Sequence, residues 1–155
     1  SAVQLVVEKQ RIYLELISTI NPMPGVREMI GRCHGNYRLA VASSSDSIEL
    51  ESILEIFGLR HCFEQVIGGN TVSRKKPNPE IYLKARDMLG LESHECVAFE
   101  DSEAGIAAAR GAGMIAVAVP HGLSHQHDFS RADLVVSRID QVDDRLLTDL
   151  ALKRG

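Results

Sequence analysis

Four short and wholly apolar runs punctuate this chain of 155 residues: Leu39–Ala42, Cys96–Phe99, Ile115–Val119 and Leu134–Val136. Each is too short for a helix and apolar throughout, the pattern of a strand covered on both faces, as in parallel sheets. Helical patterns fill the spaces between them. Leu50, Ile53, Leu54 and Phe57 repeat at i, i+3, i+4 and i+7 and close at Gly58, where a helix-terminating glycine belongs. A parallel pair needs a crossover connection, normally a helix, so this alternation predicts a three-layer α/β/α fold around a mainly parallel, doubly wound sheet.

The remaining elements follow from breakers and caps. Val6, Tyr13, Ile17 and Ile20, with Leu16 beside them, have helical spacing over residues 3–20, and Asn21-Pro22-Met23-Pro24-Gly25 ends that pattern. A short helix is expected at about 25–34 and a short strand at 65–68, ahead of Gly69-Asn70. Asn78 is placed to cap a helix with Pro79 as its first residue, turning Ile81, Tyr82, Ala85, Met88 and Leu89 inward. Further helices are predicted over about 102–112 and 140–153.

Composition narrows the function classes. With 45% apolar and 25% charged residues the chain supports a real core. Its net charge of −4, without a Lys/Arg run, argues against a nucleic-acid surface, which needs clustered cations. No apolar run approaches the ~18 residues of a membrane span and no secretory pattern opens the chain, so no membrane partner is expected. Three cysteines without framework spacing fit a reducing compartment, and the expected location is the cytoplasm.

In open α/β sheets ligands bind at the carboxyl ends of the strands, so the residues just past each run are the informative ones. After the first run comes Ser43-Ser44-Ser45, whose hydroxyls and freed N–H groups at a helix start suit a phosphate. After Phe99 come Glu100 and Asp101, paired carboxylates suited to a hard cation such as Mg2+, with Ser102 capping the next helix. Between them Lys76, ahead of Pro77, lies in a segment too polar for a core and can pair with a phosphate and a carboxylate.

Val41-Ala42-Ser43-Ser44-Ser45, Lys76-Pro77-Asn78-Pro79-Glu80-Ile81-Tyr82 and Phe99-Glu100-Asp101-Ser102-Glu103-Ala104-Gly105-Ile106 resemble the second, third and fourth motifs of the haloacid dehalogenase superfamily. The likeness is closest to its β-phosphoglucomutase-like branch of sugar-phosphate phosphatases and mutases, and it runs from about Pro22 to Val142. It implies a Rossmann-like core over residues 21–155, with residues 1–20 as a remnant of the family's helical cap. Ser43 would bind the transferring phosphoryl group, with Ser44 in support, and Lys76 would steady that group and the nucleophile. Asp101 would ligate Mg2+, with Glu100 beside it. The substrate would be a small phosphorylated metabolite.

The family's first motif is a central strand ending in Asp-x-Asp, whose first carboxylate attacks phosphorus. No Asp-x-Asp occurs in these 155 residues. The expectation is therefore a truncated phosphohydrolase with an incomplete Mg2+ site, inactive alone, its missing part lost or supplied by a complementing chain. Two alternatives stand beside it. Val3–Val7 could replace the central strand, ending at Glu8; or the chain is a non-catalytic module that binds or forms a homo-oligomer through its open sheet. Removing a central strand leaves a gap of about 10 Å between its neighbours, too wide for hydrogen bonds.

Other reactive side chains are read as ordinary. His121, His125 and His127 are expected to be solvated loop residues. Cys33-His34, His61-Cys62 and His94-Glu95-Cys96 lack the spacing of a zinc site. Lys75 is a weaker choice for the motif lysine than Lys76.

Overall fold

A computed structural model describes residues 24–154. The helix expected over 3–20 and the alternative strand Val3–Val7 lie outside the described residues. The elements are α1 (Val26–Cys33), β1 (Ala40–Ser43), α2 (Ser47–Ile56), β2 (Gln65–Gly68), α3 (Glu80–Leu89), β3 (Val97–Glu100), α4 (Glu103–Gly111), β4 (Ile115–Ala118), β5 (Leu134–Val135) and α5 (Asp144–Arg154), joined in part by 3-10 turns.

Among the described residues all strand pairs are parallel, as the apolar runs require, but they fall into two sheets. β1 pairs with β2 from Ala40↔Gln65 to Ser43↔Gly68. β3 pairs with β4 from Val97↔Ile115 to Glu100↔Ala118, and β4 with β5 at Val117↔Leu134 and Ala118↔Val135. Among the described residues no ladder joins β1 to β3. That is where the family resemblance places the central first strand.

Alternation along the strands sorts side chains between layers. Ala98, Ala116 and Ala118 point to one face, where they meet Ile106, Ala108, Ala109 and Ala112 of the α4 segment and Ile81, Tyr82 and Ala85 of α3. Small residues on both sides let helix and sheet approach closely. Ile115 and Val117 point to the opposite face, with Val97 and Phe99, against Met29 and Cys33 of α1 and Leu150 of α5. α2 covers Val41 and Val66 with Leu50, Ile53 and Leu54.

Four details depart from the sequence expectations. β1 and β3 each begin and end one residue later than their apolar runs, so Ser43 and Glu100 close strands instead of following them. α3 starts at Glu80 with Pro79 in the flanking position, yet Asn78 Oδ1 still accepts from the Glu80 N–H at 3.0 Å, so the cap works one residue further out. Met88 is 44% exposed, because it sits at the margin of the stripe that buries Ile81, Ala85 and Leu89. The last helix begins only at Asp144, since Ile139–Gln141 forms a separate 3-10 turn.

Candidate active site

The carboxyl ends of β1 and β3 carry the residues singled out by their position in the sequence. Ser43 is the last residue of β1 and is fully buried, its Oγ accepting from the Ser45 N–H at 3.3 Å. Glu100 is the last residue of β3 and 1% exposed, followed by Asp101 at 6%. Lys76 reaches in from the loop between β2 and α3. Its Nζ donates to the Ala42 carbonyl at 3.1 Å and to Glu100 Oε1. One ammonium thereby connects the end of β1 to the end of β3, across the interval that no ladder spans. The Tyr82 hydroxyl donates to the same Oε1, and Lys76 Nζ lies 4.9 Å from the Tyr82 ring centroid. Lys75 is exposed, so Lys76 is the inward one of the two lysines.

With side-chain exposures of 3% for Lys76 and 0% for Glu100, this ion pair is screened little by solvent. Burial by itself pushes the Glu100 carboxyl up, but positive charge, chiefly that of Lys76 among the described residues, and the hydrogen bonds from Lys76 and Tyr82 outweigh it and hold the group below the ordinary carboxylate range. Burial and the adjacent Glu100 charge push the Tyr82 hydroxyl well up, so it stays a donor.

A folded value below the unfolded one, about 4.3 for glutamate, makes a contribution to stability that is fully present above that unfolded value and is lost as pH falls through the folded one. Glu100→Gln is therefore expected to flatten the acid limb of the stability curve below about pH 4. Urea unfolding at a series of pH values measures it, and an unchanged acid slope in the variant would refute the assignment.

The serine turn is held by a neighbour, Asn70, that no local pattern marks out. Asn70 Oδ1 accepts from the Ser47 N–H at 3.0 Å and from the Ser47 hydroxyl at 3.1 Å, while the Gly68 N–H donates to Ser47 Oγ at 3.1 Å. The Gly69 N–H donates to the Ser45 carbonyl at 2.8 Å. A Cβ at Gly69 would run into the Ser44 backbone, so the close approach of the two loops needs glycine there.

Of the three loop histidines, His121 is half-buried, while His125 and His127 are exposed. His121 Nε2 lies 2.9 Å from Asp101 Oδ2, and the His127 Nδ1 accepts from the Glu103 N–H at 3.2 Å at the start of α4. The His121 contact corrects the loop reading for that residue, and the reason is topological; His127 remains a solvated loop residue as expected. β4 lies beside β3 in parallel, so the loop leaving β4 emerges next to the one leaving β3. Ser102 caps α4 as expected, its Oγ accepting from the Gly105 N–H at 3.0 Å.

The described site offers carboxylates of Asp101 and Glu100, a buried ammonium and a serine turn at a helix start. An oxygen-rich donor set with a neighbouring cation suits a hard divalent ion together with a phosphate. No helix among the described residues is long and apolar enough to cross a membrane.

The chain is similar to several known proteins. The family model described as haloacid dehalogenase-like hydrolase matches residues 4–119. Fructose-1-phosphate phosphatase YqaB of Escherichia coli is 38% identical over 104 residues, which are 67% of this chain and 55% of that protein. Beta-phosphoglucomutase of Bacillus subtilis is 34% identical over 148 residues, 93% of this chain and 63% of that protein. The crystal structure of CbbY from Rhodobacter sphaeroides in complex with phosphate superposes with a TM-score of 0.78 at 30% identity, over 83% of this chain and 60% of that one. The chain thus spans between 55% and 63% of the length of these curated relatives.

Proposed function

Because the chain belongs to the haloacid dehalogenase-like hydrolases, in their β-phosphoglucomutase-like branch, we propose that it is the core of a Mg2+-dependent enzyme. That enzyme hydrolyses or transfers a phosphoryl group of a small phosphorylated metabolite. The observation that carries the reading is the meeting of Ser43, Lys76, Glu100 and Asp101 at one edge of two parallel sheets, with Lys76 buried between the ends of β1 and β3.

In this reading residues 21–155 are the catalytic core and Ser43, Ser44 and Lys76 receive the phosphoryl oxygens. Lys76 lowers the negative charge that builds up as a phosphate approaches buried carboxylates. Glu100 and Tyr82 fix the lysine in place. Asp101 and Glu100 hold the metal, and His121 fixes the orientation of the Asp101 carboxylate through Oδ2. A bound Mg2+ would neutralise phosphoryl charge as the group moves. Positioning and charge compensation do most of the work in such reactions, which is why these side chains are held so rigidly. The enzyme's place is the cytoplasm, where the free Cys33, Cys62 and Cys96 stay reduced.

The 155 residues contain no Asp-x-Asp, the motif that supplies the attacking carboxylate in this family, so the chain alone is proposed to be inactive. The test is phosphate release from a panel of sugar phosphates with Mg2+. The chain alone is expected to match the metal-only blank, and turnover by it would refute its inactivity. Joined to a family first strand carrying Asp-x-Asp, it is expected to turn over, and Asp101→Asn should abolish the rate. A folded fusion that binds no phosphate and releases none would favour the non-catalytic module instead.

A further inference from the structure

His34, His61 and Cys62 come from two segments 26 residues apart that lack zinc-site spacing, yet the fold brings them together. One ligand atom from each lies within 4.8 Å of the other two. Cys62 Sγ is 3.5 Å from His61 Nε2. The His34 and His61 rings meet edge to face, with centroids 5.5 Å apart and planes at 81°. We propose that these three side chains form a second metal site, for a borderline divalent ion of the Zn2+ type, with its fourth position open to water.

The distances suit such an ion. Zn–S of about 2.3 Å and Zn–N of about 2.0–2.1 Å at a tetrahedral angle place sulfur and nitrogen about 3.5–3.6 Å apart. The Cys62–His61 pair is already at that edge length. No pair exceeds 4.8 Å, so a shift of the exposed His34 ring by about 1 Å completes the triangle. Two imidazoles and a thiolate favour Zn2+ or Co2+ over Mg2+, which takes oxygen ligands. On binding, the Cys62 thiol releases its proton to solvent and the sulfur lone pair forms the bond to the metal.

The backbone that presents the ligands is well fixed. His34 caps α1, its N–H donating to Ile30 O at 2.8 Å. Cys62 ends the 3-10 turn Arg60–Cys62, its N–H donating to Leu59 O at 3.0 Å. Arg60 ties that turn to the Glu51 carboxylate and to Phe63 O. The Glu64 N–H donates to Leu39 O at 2.8 Å, joining the two segments just before β1 and β2 begin. This is the amino edge of the parallel strands, opposite the edge that carries Ser43, so the site is independent of phosphoryl transfer and fails or stands separately from it.

Titration of the metal-free chain with Co2+ tests the site. A thiolate-to-Co2+ charge-transfer band and the intense visible bands of a four-coordinate ion are expected, and equimolar Zn2+ should bleach them. Cys62→Ser should remove the charge-transfer band. His34→Asn and His61→Asn should weaken binding at least about tenfold. Cys96→Ser and Asp101→Asn should leave the charge-transfer band unchanged. Thermal unfolding in chelator checks that each variant is folded; should Cys62→Ser unfold, the two histidine variants decide. No band in the parent chain, a band that survives Cys62→Ser, or full affinity in both histidine variants overturns the proposal.

Discussion

Lys76→Met is expected to lower the unfolding free energy by about 3–5 kcal/mol, the cost of removing one partner from a fully buried ion pair. The side chains of Lys76 and Glu100 are 3% and 0% exposed, so solvent cannot take over the role of the missing ammonium. Glu100 would keep the Tyr82 hydroxyl but lose its adjacent cation, and the Ala42 carbonyl would lose the donor that connects β1 toward β3. Urea unfolding of parent and variant measures the loss. A change below about 1 kcal/mol would equate this pair with an exposed one and refute the argument. Adding Glu100→Gln to Lys76→Met should recover part of the loss, because the buried negative charge is then gone; the double-mutant cycle gives the coupling directly.

The legible part of this fold was the part written in local pattern. Short apolar runs read as strands because side chains covered on both faces leave no polar positions, and the alanine stretch of α4 read as close packing because only small side chains let a helix approach a sheet of Ala98, Ala116 and Ala118. The meeting of Ser43, Lys76, Glu100 and Asp101 was legible because the carboxyl ends of parallel strands must come together. What stayed hidden depended on which strands are neighbours. His121 looked like a solvated loop residue until the adjacency of β3 and β4 set it beside Asp101. His34 and His61-Cys62 looked unrelated until the β1–β2 pairing joined the turns that precede those strands. The role of Glu100 was also only half visible: a carboxylate beside Asp101 reads as a metal ligand, whereas one of its oxygens serves Lys76 and Tyr82.

Gly105→Ala reverses the ordinary expectation for an interior helix position, and its sign is the test. On helix propensity alone, alanine in place of glycine stabilises by about 1 kcal/mol. Gly105 lies in the first turn of α4, however, and a Cβ there would fall inside the Glu100 carboxylate. That carboxylate cannot yield freely, because one oxygen is bound to both Lys76 and Tyr82 and the residue is 1% exposed. Overpacking costs about 1–3 kcal/mol by itself, and displacing a buried charge from its partners adds to it. We expect a net loss of about 2 kcal/mol once the propensity gain is subtracted. Gly111→Ala, at the other end of the same helix, is the control: its nearest neighbour would be Pro79 Cβ at 3.4 Å, an ordinary contact, so it should be neutral or stabilising by up to about 1 kcal/mol. Thermal unfolding of both variants separates the two cases. If Gly105→Ala gains stability as Gly111→Ala does, the Glu100 carboxylate is not pinned by Lys76, and the rigid charge arrangement that the catalytic reading requires does not exist.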